Sequence, residues 1–205
     1  MLLPEAVKPR KSAIACYAFA KFGRRAYYAT FKRTLDIPAS VPIRVLTPLH
    51  MAAAENKLDE VINLLASDAP IDVRDYNGRT PLQYGANAGH VEIARFLLSQ
   101  GADVDARDDL GGTALHSCSA RPSAAGMIEL LLAEGATIDA CCDRAGGATP
   151  LHLAAQLGLL ENVSLLVEHG ARIDEHDDCG FKPIDYARQS DQVEVVKLLE
   201  DLTCP

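Results

Sequence analysis

One short pattern recurs along most of this chain at nearly constant spacing, and that period limits the possible folds more than any other feature. Thr47-Pro48-Leu49-His50 is followed 33 residues later by Thr80-Pro81-Leu82-Gln83, and 33 further on by Thr113-Ala114-Leu115-His116. Thr149-Pro150-Leu151-His152 comes 36 residues after that, and Lys182-Pro183-Ile184-Asp185 another 33 on. The second halves repeat in phase: Gly101-Ala102-Asp103-Val104-Asp105 matches Gly135-Ala136-Thr137-Ile138-Asp139 and Gly170-Ala171-Arg172-Ile173-Asp174. A period of this length marks a solenoid. Each unit is too small to bury its own apolar face and must stack on its neighbours.

The residues of one unit dictate its local structure. Thr supplies an N-cap hydroxyl, and Pro at the first helical position loses no needed N–H. A short helix over Leu82 to Ala88 is broken by Gly89. A second helix carries Val91, Ile93, Ala94, Leu97 and Leu98 at helical spacing, and Gly101 is its left-handed C-cap. Val104 then enters an extended stretch, and Asn77-Gly78 signals the tight turn of a hairpin.

Taken together, these five units resemble the ankyrin-repeat family over about three quarters of the chain. The resemblance implies an all-α repeat solenoid, an ankyrin-repeat stack of helix-turn-helix-hairpin units, with repeats starting at residues 47, 80, 113, 149 and 182. It also implies a non-enzymatic module for protein–protein interaction, a scaffold that needs no cofactor. Some positions depart from the pattern. Asp68 stands where a C-cap Gly is expected, so that helix end is strained or rearranged. The third unit is three residues longer, with one extra residue near Arg121-Pro122-Ser123 and two in the hairpin Ala140 to Ala148. The polar Gln189, Ser190, Asp191 and Gln192 suit a solvent-facing cap of the fifth unit.

Charge divides the chain. The formal net charge is −8, yet residues 1–46 hold nine Lys and Arg against two acids. Between Glu5 and Asp36 there are eight Lys and Arg, six aromatics and no acid. Residues 1–35 therefore read as a basic, aromatic-rich segment able to form an amphipathic helix, 36–46 as a linker with two prolines, and 47–205 as the repeat domain. Three roles stay open for the basic segment: a helix capping the stack, a mitochondrial presequence, or an arm for a membrane surface or nucleic acid. The first places the protein inside the cell, in cytoplasm or nucleus. The second makes it an accessory subunit of a large mitochondrial complex. The longest uncharged run near the start is far shorter than the roughly 20 residues of a transmembrane helix.

Six cysteines at irregular spacing, with no secretory signal, read as reduced thiols. Cys118 falls at a small-residue position of a first helix and belongs in the core. Cys141 and Cys142 lie on the third hairpin, and His176 and Cys179 on the next. Four such ligands converging would suit zinc, although vicinal cysteines seldom share one ion. His50, His116 and His152 hold the slot that the family uses to tie hairpins together. His90 and His169 match its Gly-His and His-Gly-Ala turns. No nucleophile, base and acid stand together outside structural slots, so no catalytic residue is assigned.

In the family the concave groove is formed by hairpin tips and first helices. Carried over position by position, the tips are Tyr76, Arg79, Asp109, Arg144, Asp178 and Phe181, with Arg74, Arg107 and His176 just before the turns. Aromatic residues and arginine are the common anchors of interfaces. The many acids near the hairpins, Asp109, Glu175 and Asp178 among them, favour a protein partner with a basic surface over nucleic acid.

Overall fold

Every recurring tetrapeptide starts a helix. The computed structural model describes residues 46–143 and 146–203; the expectations for residues 1–45 and for Arg144 lie outside them. Among the described residues, ten helices follow one another in five pairs. These are α1 (Pro48–Ala54) and α2 (Leu58–Leu65), α3 (Pro81–Ala88) and α4 (Val91–Ser99), α5 (Ala114–Ser119) and α6 (Ala125–Ala133), α7 (Pro150–Gln156) and α8 (Leu160–Glu168), and α9 (Pro183–Gln189) and α10 (Val193–Thr203). First helices stack on first helices and second on second along the chain. No helix among the described residues is long and apolar enough to cross a membrane.

The tetrapeptide does two jobs. Within a unit, the N–H of Thr47, Thr113 and Thr149 donates to Nδ1 of His50, His116 and His152, at 3.1, 3.2 and 3.1 Å. In the second unit Gln83 Oε1 accepts from the Thr80 N–H at 2.9 Å, and in the fifth Asp185 Oδ2 accepts from the Lys182 N–H at 3.0 Å. Because Nδ1 accepts, the ring proton sits on Nε2, which then donates to the following hairpin. His50 reaches the carbonyl of Arg79 at 2.9 Å, His116 that of Ala148 at 3.3 Å and His152 that of Phe181 at 3.1 Å. Gln83 Nε2 makes the equivalent bond to the Gly112 carbonyl at 2.6 Å.

The same carbonyls close the hairpins. Arg79, Gly112, Ala148 and Phe181 accept from the N–H of Asp75, Asp108, Cys142 and Asp177 at 3.0, 2.8, 2.9 and 2.9 Å. One oxygen per unit therefore holds both its own turn and the unit before it. The extended stretch expected at Val104 is a turn, and no strand forms among the described residues beyond a single bridge between Cys142 and Ala148. A turn bonded to the neighbouring unit needs no longer ladder of its own.

The core is one column of small and branched side chains. Ala53, Ala86 and Ala155 let the first helices approach closely, and all are buried. Leu64, Leu97, Leu131, Leu166 and Leu199 fill the same slot of the second helices. The slot one residue later, Leu98, Leu132 and Val167, is only partly buried and forms the rim of this core. Cys118 is fully buried, and burial pushes its thiol up to about 12.

The departures from the repeat resolve into specific contacts. Asp68 takes the left-handed conformation, φ 59°, in place of the φ 90°, 87° and 93° of Gly101, Gly135 and Gly170. The cap bonds stay the same, with Asp68 N–H to Leu65 O at 3.0 Å and Ala69 N–H to Leu64 O at 3.2 Å. The helix end is thus strained, not rearranged. In α8, Asn162 occupies a core slot that Ile93, Met127 and Val195 fill elsewhere. Its amide donates to the carbonyls of Ser119 at 3.1 Å and Arg121 at 2.7 Å, where the insertion cuts α5 to six residues. A buried amide from the next unit thereby caps the shortened helix.

The fifth unit changes the face that other units turn towards their successors. Positions that hold His or Gln, Ala or Ser, and Leu or Val in the other units hold Asp185, Arg188 and Glu200. Arg188 bridges Glu200 at 2.8 Å and Asp185 at 3.6 Å. This ion-paired face adds to the polar run Gln189 to Gln192, of which Gln189 and Asp191 are exposed.

Candidate functional site

The hairpin tips stand in contact along one edge of the stack. Three of the four turns begin with an aspartate that organises its own loop. Asp75 Oδ1 accepts from the N–H groups of Asn77 and Arg79, both at 2.8 Å. Asp108 does the same for Leu110 and Gly112 at 2.9 and 2.8 Å, and Asp177 for Cys179 and Phe181 at 2.9 and 2.8 Å. The second oxygens of Asp75 and Asp177 accept from the hydroxyls of Tyr84 and Tyr186 at 2.8 and 2.7 Å. Burial first, then this bond to a carboxylate, raises both phenols above their ordinary range. Tyr84 and Tyr186 also meet His50 and His152 edge-on, with ring centroids 5.2 and 5.0 Å apart.

Neighbouring tips interlock through glycine. A side chain on Gly78 would place its Cβ 2.5 Å from Asp109 Oδ1 and 2.8 Å from the Asp109 nitrogen. Gly111 meets Asp143 in the same way at 3.0 Å, and Gly147 meets Asp178 Oδ1 at 2.7 Å. The backbone joins in, with Asp109 N–H donating to Asn77 O at 2.9 Å and Asp178 N–H to Gly146 O at 2.6 Å. Asp109, Asp143 and Asp178 are exposed all the same, so the ridge displays a carboxylate in three successive hairpins.

The described arginines expected at the groove bond to their own and neighbouring hairpins, Arg107 while still exposed. Arg74 Nη1 donates to the Gly78 carbonyl at 3.0 Å and to the carbonyl of Arg107 in the next hairpin. Arg107 in turn donates to the Cys141 carbonyl and lies 4.0 Å from Asp143. Arg79 pairs with Asp108 at 3.4 Å. At the other side of the hairpins Arg172 joins Asp139 at 3.1 Å and Glu175 at 2.8 Å. Tyr76 and Phe181, by contrast, are exposed to 60% and 43%, and His176 is also exposed.

Sequence comparison alone left out two groups of residues. Leu110, 40% exposed, stands at the second tip beside Asp109. Met51, Tyr84, Ser117, Leu153 and Tyr186 occupy the position after each His, Gln or Asp, and all are exposed or partly exposed on the first helices. Their signal in the sequence is one of register: a variable residue directly after each recurring tetrapeptide.

The four zinc-type ligands are not brought together. Cys142 is buried, and its thiol donates back to the Leu110 carbonyl at 3.2 Å, while Cys141, His176 and Cys179 are exposed. Cys142 takes the place of a turn-forming aspartate, which aims it at the preceding hairpin and away from the following one. Among the described residues no group of three or more His, Cys, Asp and Glu side chains could hold an ion.

A family model for ankyrin repeats matches the chain three times, over residues 26–108, 49–141 and 115–204. The chain is 31% identical over 159 residues to the Mus musculus B-cell lymphoma 3 protein homolog, across 75% of this chain and 36% of that protein. It is 32% identical over 155 residues to the Caenorhabditis elegans ankyrin repeat and KH domain-containing protein mask-1, across 75% of this chain and 6% of that one. The chain thus spans well under half the length of either relative. The in-phase tetrapeptides, the paired helices and these matches agree: this chain belongs to the ankyrin-repeat family.

Proposed function

We propose that this chain is a binding module that holds a protein partner along the ridge of hairpin tips and the adjoining faces of the first helices. Ankyrin repeats generally mediate protein–protein interaction. The observation that carries the reading is the exposure of Tyr76 and Phe181, large rings at turns where the fold asks for none. Burying such rings in a partner's pocket is what dominates most interfaces.

The hydrogen bonds described above make the edge a preformed surface. Each tip is held by its own aspartate or bridge, by the preceding unit and by at least one neighbouring tip, so little ordering entropy is left to lose on binding. Arg74, Arg79 and Arg107 contribute by fixing the tips, with Asp109, Asp178 and His176 displayed among them. Arg144 belongs to the same edge by its place in the sequence.

Affinity capture with the intact chain, followed by mass spectrometry, tests this reading. Proteins recovered by the wild type are expected to be lost from Tyr76→Ala with Phe181→Ala, and retained by Arg95→Glu on a second helix. Equal recovery by the aromatic pair, in variants that melt alike, shows that the hairpin edge is not the working surface.

A further inference from the structure

Among the described residues, three hairpin tips expose a large apolar side chain, and the ridge is unevenly charged along its length. Tyr76, Leu110 and Phe181 expose 60%, 40% and 43% of their surface at tips that touch in series. Around Tyr76, residues 72–79 hold two arginines and two aspartates. Around Leu110, residues 105–112 hold one arginine against three acids, the matching residues 141–148 of the third hairpin hold one of each, and around Phe181 the matching residues 174–181 hold four acids and no arginine. Counted at full charge the arginines leave this excess in place, and Arg74, Arg79, Arg107 and Arg172 are held by carbonyls or carboxylates of the stack itself. Asp174 and Asp178 remain exposed beside Phe181.

We infer that the partner presents a segment in which lysine or arginine flanks an apolar side chain. It binds in one orientation, with its cations over the fourth hairpin beside Phe181 and its uncharged end over Tyr76. This rests on the hairpin edge being the binding surface. Apolar contact supplies the holding energy, and the charge gradient decides which way round the segment lies. A reversed segment would set its cations over the balanced first hairpin and leave the acids of the fourth desolvated without a partner. A polyanion such as nucleic acid meets the same acids as repulsion.

Random peptides displayed on phage and panned on the full chain provide the probe. The expected winners carry Lys or Arg next to aromatic or aliphatic residues. A synthetic representative should bind about tenfold more weakly to Asp174→Asn with Asp178→Asn, and lose most of its salt dependence there. Asparagine keeps the shape of Asp178 against Gly147, so the ridge stays intact. A spin label at the cationic end should broaden resonances of residues 174–181, and one at the other end those of residues 75–79. Winners that need Tyr76 and Phe181 but show no excess of Lys and Arg overturn the cationic partner and leave edge binding standing. Labels that broaden both hairpins equally overturn the orientation. Winners indifferent to Tyr76→Ala with Phe181→Ala overturn the edge reading as well, and panning that enriches nothing overturns the segment.

Discussion

Single residues show where this stack is tuned and where it is strained. Asp68 holds a left-handed cap conformation that glycine adopts in three other units, with the same hydrogen bonds. Asp68→Gly should therefore raise stability by up to about 1 kcal/mol, the relief of strain being partly offset by the freer unfolded chain; an unchanged denaturation midpoint counts against strain at this cap. Gly78 is the opposite case. It combines φ 76° with close approach to the backbone of Asp109, so Gly78→Ala should cost about 2 kcal/mol or more in a chemical melt. Asn162→Ala should cost about 1–3 kcal/mol, because two carbonyls at the end of α5 lose their buried donor. A loss no larger than that of an exposed alanine substitution would mean that water replaces the amide. The sequence marked Asp68 as an altered cap and Gly78 as part of a turn, but not the Asp109 backbone that Gly78 meets, nor the carbonyls that Asn162 serves. Each depends on what the neighbouring unit places opposite, which the period alone does not specify.

At the scale of the element, the helices were readable because capping threonine, first-turn proline and the spacing of Leu and Ala all point to the same register. The hairpins were half readable. Their tips follow from Asn77-Gly78 and its equivalents, but the inward turn of Arg74 and Arg107 does not, since an arginine before a turn looks the same whether it meets a partner or a carbonyl. The histidine links carry a pH dependence. Burial lowers His50, His116 and His152 below the ordinary histidine value of 6.5. Below that value the unfolded chain takes up protons that the folded chain refuses. The stability is thus present above about pH 6.5 and falls as pH drops towards the folded values, by up to about 1.4 kcal/mol per unit for each ring. Urea melts between neutral pH and about pH 5.5 check this. His152→Gln, which copies the uncharged link made by Gln83, should flatten the slope by one histidine's share. An unaltered slope would place the titration elsewhere.

On the scale of the whole molecule, a stack in which each carbonyl serves two units should melt together. Leu97 is fully buried between neighbours, so Leu97→Ala should cost about 2–5 kcal/mol and lower one shared transition; a separate early transition confined to the second unit would show that the units are uncoupled. The edge proposed for the partner was legible in outline, since the repeat register alone locates Tyr76 and Phe181 at hairpin tips. The most direct test of edge binding is hydrogen–deuterium exchange on the chain alone and with a captured partner at saturation. Amides of residues 75–79, 108–112 and 177–181 should gain protection in the complex, while those of α2, α4, α6, α8 and α10 exchange as before. Protection that falls on the second helices and leaves the hairpins unchanged would contradict the account.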